Sequence, residues 1–150
     1  MHNLTDIQKQ EVSDAMWLVA KSFDNFDVPY PYQLAIMEVF QLGLDGHWNI
    51  YEMDGCTFVS NLWPNKFTPV CTPHDGWWKM GMGGYISDRL MNEFNKCYEL
   101  PKRKVKFRFI GVRVGWWGFF KWKHLFRGNV NKPTNKMLEA YKYYKLTKLN

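Results

Sequence analysis

Apolar side chains return every three or four residues at Val12, Ala15, Met16, Val19 and Phe23, which is the spacing of one face of an α-helix. Thr5 followed three residues later by Gln8 supplies a capping box, and Asp6 places a negative charge where a helix N-terminus favours one. The pattern predicts an amphipathic helix over residues 6–22. Pro29 and Pro31 mark a loop, and Pro31 suits the first residue of a second helix, running to about Leu42 before Gly43 and Asp45-Gly46. Trp48, Ile50 and Met53 then alternate with polar residues. That alternation predicts a short strand, paired with Thr57-Phe58-Val59 across the Asp54-Gly55 turn.

Residues 60–73 carry three prolines and little periodicity, so they read as a loop delivering the chain to a helix that starts near Pro73 and runs to Met80. Gly81, Gly83 and Gly84 stop it, and Ser87, Leu90, Met91, Phe94 and Tyr98 predict a further helix to about Leu100. The two form an antiparallel hairpin. Between Lys102 and Phe109 basic and apolar residues alternate, and an aromatic segment containing Gly111, Gly115 and Gly118 follows; helix and strand both fit there. Residues 135–147 predict a last helix, with Met137, Leu138, Tyr141 and Tyr144 on one side and a cationic outer face. Neither an internal repeat nor a low-complexity linker interrupts the chain. The expectation is one domain of mainly α class with a small β element, built from N-terminal helices (5–50), a hairpin core (51–100) and a basic aromatic C-terminal segment (101–150).

Composition agrees with a globular domain, at 46% hydrophobic and 23% charged residues. The 18% aromatic content, with eight tryptophans, adds broad apolar surfaces to be buried in the core, on a partner or at a lipid interface. Residues 1–100 hold six Lys/Arg against 13 Asp/Glu, and residues 101–150 hold 14 against one. The cationic half suits a phosphate-bearing partner, nucleic acid or anionic lipid, and equally suits neutralising the acidic half within the fold. The N-terminal residues lack a basic and apolar leader pattern, and the apolar run from Phe109 to Phe120 is broken by Arg113 and too short to span a bilayer. No transmembrane segment is expected, and synthesis in the cytoplasm of the host cell is. Three cysteines, Cys56, Cys71 and Cys97, are too few for a disulfide scaffold.

The hairpin gathers the residues able to do chemistry. Across its glycine turn His74 meets Asp88, and Cys71 approaches Cys97. A carboxylate that takes a hydrogen bond from one imidazole nitrogen fixes the tautomer and leaves the other nitrogen as a general base. Asp75, next along the helix, points elsewhere and is available to a cation.

Asp54-Gly55-Cys56-Thr57, the run Phe67-Thr68-Pro69-Val70-Cys71-Thr72-Pro73-His74-Asp75, Asp88 and Cys97 together resemble the secretory phospholipase A(2) superfamily, particularly its short bacterial and fungal branch. They also resemble a phage and prophage family with a similar loop, a His-Asp helix and an Asp about fourteen residues on. The likeness covers roughly residues 51–98. It implies a hairpin core in which His74 deprotonates a water attacking an ester carbonyl and Asp88 orients the imidazole. It further implies Ca²⁺ held by Asp75 and by the loop residues Asp54, Gly55 and Thr57, with the ion stabilising the oxyanion. Cys71 and Cys97 fall near positions that such enzymes bridge. Two departures stand out: Trp78 occupies the place of a usual tyrosine, and Gly55 alone represents the glycine-rich calcium loop.

Other readings compete. The hairpin also serves as a scaffold in a non-catalytic virion or assembly component, whose basic aromatic tail contacts phage structural proteins, lipid or nucleic acid. A metal-dependent phosphohydrolase would draw on His47 but finds no Asp after Asp88. Cys71, His74 and Cys97 make three ligands of a structural zinc and lack a fourth. No Gly-x-Ser-x-Gly elbow occurs. The segment Trp116-Trp117-Gly118-Phe119-Phe120-Lys121-Trp122-Lys123 suits an interfacial anchor, single-stranded nucleic acid, or a buried core or subunit interface.

Overall fold

A computed structural model describes residues 1–52, 68–98, 110 and 131–149. Among these residues the chain is mainly helical: α1 is Asp6–Asn25, α2 Tyr30–Leu44, α3 Thr68–Lys79, α4 Tyr85–Cys97 and α5 Asn135–Lys148. The capping box at Thr5 forms as expected, with the Gln8 amide donating to Thr5 Oγ1 at 3.1 Å and the Thr5 amide donating to Gln8 Oε1 at 2.9 Å. Val12, Ala15, Val19 and Phe23 are the buried stripe of α1.

The second helix is apolar around most of its circumference and buries Tyr32, Ala35, Ile36, Val39, Phe40 and Gly43. A helix of that kind has to be surrounded. It packs against α1, α3 and α5, while α4 closes the assembly against α3 and α5. Tyr32 meets the edge of Phe94 at 5.4 Å between ring centres and that of Tyr143 at 5.3 Å, tying α2 to both α4 and α5. Tyr98, just past α4, reaches back to the hydroxyl of Ser22 on α1; Ser22 in turn donates to the Val19 carbonyl at 2.6 Å.

Three helices stop in the same way. In each, a residue at positive φ sends its amide three residues back and the next amide five residues back, the Schellman arrangement that satisfies carbonyls left open at a helix end. Gly46 (φ 85°) does this for α2 through Gly46 N–H to Gly43 O and His47 N–H to Leu42 O, and Gly81 (φ 78°) does it for α3 through Trp78 O and Trp77 O. Asp27 (φ 48°) fills the same place after α1, where the sequence carries no glycine to announce it.

The predicted β element is not formed among the described residues. Ile50–Glu52 is a 3₁₀ turn, and residues 53–59, the rest of the expected strand pair, lie outside the described set. Trp48 and Ile50 do share a side, but they share it by both turning into α2. The Trp48 indole donates to the Val39 carbonyl at 3.0 Å, and a Cβ at Gly43 would start 3.1 Å from the side chains of both Trp48 and Ile50. The alternation thus marks two anchors packed over a glycine.

The third helix begins at Thr68, earlier than the prolines suggested. Pro69 sits in the first turn, where no amide is needed, and Pro73 inside the helix forgoes one hydrogen bond. The final helix matches its expected span, though Leu138 faces solvent while Met137, Ala140 and Tyr144 are buried. No described helix is long and apolar enough to cross a membrane.

Candidate active site

Helices α3 and α4 run antiparallel across residues 80–84, and their facing sides carry the paired groups. His74, on α3, places Nε2 2.7 Å from Oδ1 of Asp88 on α4. Asp88 is wholly buried in the first turn of its helix, where the helix dipole favours a carboxylate. His74 is 9% exposed, so the outlet of this pair to solvent is the imidazole. Among the described residues both hydrogen-bond contacts of the imidazole are at Nε2 and none is at Nδ1. Helix α4 is set in register by Ser87, whose hydroxyl donates to the Gly84 carbonyl at 2.9 Å and accepts from the Gly84 amide at 3.0 Å.

Two residues of this site were not singled out in the sequence for the parts they play. Trp78, one turn after His74, brings its indole Nε1 to 2.9 Å from His74 Nε2 and 3.4 Å from Asp88 Oδ1. The indole N–H thus addresses both members of the pair. Gly76 lies under the helix instead: a Cβ there would stand 2.4 Å from Val39 Cγ1 and 2.8 Å from the Trp48 ring. This close approach seats α3 on α2, and its signal in the sequence is a glycine in mid-helix between His74-Asp75 and Trp77-Trp78.

The other expected site residues divide. Asp75 is partly buried on α3, whereas Asp54, Gly55 and Thr57 lie outside the described residues. Among the described residues no group of three or more His, Cys, Asp and Glu side chains is gathered to hold a metal, so Asp75 is the single described member of the expected calcium set. The suggested Cys71–Cys97 bridge is not made. Cys71 is disulfide-bonded and Cys97 carries a free thiol. Burial, helped by the nearby Glu93 carboxylate, pushes the Cys97 thiol up to about 11, leaving it protonated at neutral pH and a poor nucleophile or metal ligand. With Cys71 in a disulfide, the set of Cys71, His74 and Cys97 loses one of its three zinc ligands. His47 is exposed beyond the end of α2.

A cationic surface borders the hairpin. Arg89, directly after Asp88, lies over the rings of Tyr85 and Tyr144 at 5.5 and 5.4 Å. Lys145 sits 5.0 Å above Tyr141, and Lys148 donates to the Tyr144 hydroxyl at 2.9 Å. Lys136 and Lys142 are exposed along the same helix.

No family model matches this chain, and comparisons with curated proteins and with solved structures also gave no match.

Proposed function

We propose that this is a phage-type protein with a phospholipase A(2)-like site that hydrolyses an ester, with His74 as general base. The single observation behind the reading is the buried His74–Asp88 pair at 2.7 Å, astride a glycine turn between two antiparallel helices. In the reaction, Nδ1 of His74 takes a proton from water as the oxygen adds to the ester carbonyl, and Asp88 balances the positive charge on the imidazole. Breakdown of the tetrahedral intermediate expels the alkoxide, which receives that proton, and both imidazole and carboxylate return to their starting states. In the resembled pattern Ca²⁺, held by Asp75 with Asp54, Gly55 and Thr57, would supply stabilisation of the oxyanion. The described residues offer Asp75 alone toward such an ion, so the steps above are carried by His74 and Asp88.

The test is release of fatty acid from anionic lipid vesicles, with Ca²⁺ or with EGTA, by the wild type and by His74→Gln. Release by the wild type that disappears in His74→Gln is the expected result, and its loss in EGTA would assign the ion a part. Absence of any His74-dependent release would remove the proposal for this substrate class.

The cationic face of α5 favours a second reading, a non-catalytic virion or assembly component that docks on polyanions. Lysines on its exposed side suit phosphates of anionic lipid or nucleic acid. Binding to a single-stranded oligonucleotide or to anionic vesicles is then expected to weaken steeply between low and physiological salt and to drop again in a Lys142→Gln, Lys145→Gln, Lys148→Gln triple variant. Binding that ignores both salt and these changes counts against it.

A further inference from the structure

We propose that Trp78 is a rival donor to Nε2 of His74, so that the Asp88 carboxylate decides which nitrogen carries the proton and its loss passes that choice to Trp78. An indole N–H can only donate, and an imidazole nitrogen has one in-plane position, holding either a hydrogen or a lone pair. Asp88 Oδ1 at 2.7 Å and Trp78 Nε1 at 2.9 Å both address Nε2 of His74, and they lie 3.4 Å from each other. Nε2 cannot satisfy both at once.

Two arrangements are open. In the first, Nε2 is protonated and donates to the Asp88 carboxylate, and the indole N–H turns to the same Oδ1, which has lone pairs for two donors. Nδ1 then keeps its lone pair and is the base. In the second, Nε2 accepts the indole N–H, and the imidazole proton must reside on Nδ1. With a charged Asp88 that second arrangement sets two lone pairs against each other across 2.7 Å, so it requires Asp88 to be neutral or absent. The anionic carboxylate selects the first. Trp78 therefore acts as a rival claimant for Nε2, and losing the carboxylate would hand that nitrogen to the indole. If the hydrolase reading holds, this switches the base off by protonating Nδ1, over and above the lost orientation. The ring geometry fits an N–H directed at the pair, since the His74 and Trp78 rings are tilted 47° with centres 5.8 Å apart and are not stacked.

The tautomer can be read without substrate, from the ¹⁵N shifts of histidine-labelled protein at neutral pH in EGTA, with the His74 signals assigned by their loss in His74→Gln. The wild type is expected to carry its His74 proton on Nε2. Asp88→Leu, close in size to aspartate and suited to a buried site, is expected to move it to Nδ1, and adding Trp78→Phe to that variant should leave a mixture of the two forms. Asp88→Ala serves the same purpose should the leucine variant fail to fold. A wild type protonated on Nδ1, an Asp88 variant that retains the Nε2 proton, or a double variant indistinguishable from the single one would each overturn the proposal. Inversion of the tautomer in a protein that releases no fatty acid would leave this inference standing and remove the hydrolase.

Discussion

Gly76→Ala is expected to destabilise the protein by about 2 kcal/mol, a typical cost of forcing an extra methyl into a packed core. Alanine is the better helix former by roughly 1 kcal/mol, so the clash must exceed that gain. The geometry provides for it. The new Cβ would stand 2.4 Å from Val39 Cγ1, and Val39 is a fully buried, β-branched residue on α2 with little choice of rotamer. It would also stand 2.8 Å from the ring of Trp48, which cannot slide away without giving up its hydrogen bond to the Val39 carbonyl. Urea unfolding followed by helical circular dichroism measures the effect, and an unchanged midpoint would show that α3 does not sit on α2 in this way. Val39→Ala opens a cavity and destabilises alone, yet combined with Gly76→Ala it should cost less than the two changes added together.

On the proposed hydrolase reading, Asp88→Asn is expected to cut ester turnover about a hundredfold or more while the helical signal and KM stay near wild type, within the range general base catalysis contributes. Asparagine fills the same buried space and still offers an oxygen, but it brings no charge to balance the imidazole once Nδ1 has taken its proton. A loss confined to kcat is the mark of a group acting in the transition state. Full activity in Asp88→Asn would show that the close contact at 2.7 Å is structural only.

Much of the fold is legible in the amino-acid sequence because most helices obey a single periodicity. Val12, Ala15, Val19 and Phe23 declare α1, and the Gly81 to Gly84 cluster declares the turn that brings His74 to Asp88. What escaped depends on contacts distant in sequence. Trp48 and Ile50 mimic a strand because period two cannot be told from two inward-facing anchors when the run is so short. Pro69 reads as a loop residue because a helix start that tolerates proline carries the same composition as a loop. Pro73 reads as the helix start because proline is usual in a first turn and unusual inside a helix. The part played by Trp78 needs three atoms located together, since nothing in the sequence says whether an indole four residues after a histidine points at the imidazole or away from it. The free thiol of Cys97 was equally hidden, because antiparallel numbering puts Cys71 and Cys97 opposite each other without fixing the direction of either side chain.

The central position of α2 bears on how the chain reaches its native state. Its partners are drawn from both ends of the sequence: α1 precedes it directly, while α5 comes from residues 135–148 and meets it through Tyr32 and Tyr143. Helical domains usually fold fast because their contacts are local, whereas contacts between distant segments must first meet the entropy of closing a long loop. During synthesis α2 therefore emerges well before α5, with an apolar flank that stays open until α5 has been made. In that interval the flank is available to chaperones or to neighbouring chains. A chain truncated before α5 should thus be recovered mainly in aggregates, and supplying residues 131–150 as a separate peptide should restore part of its solubility.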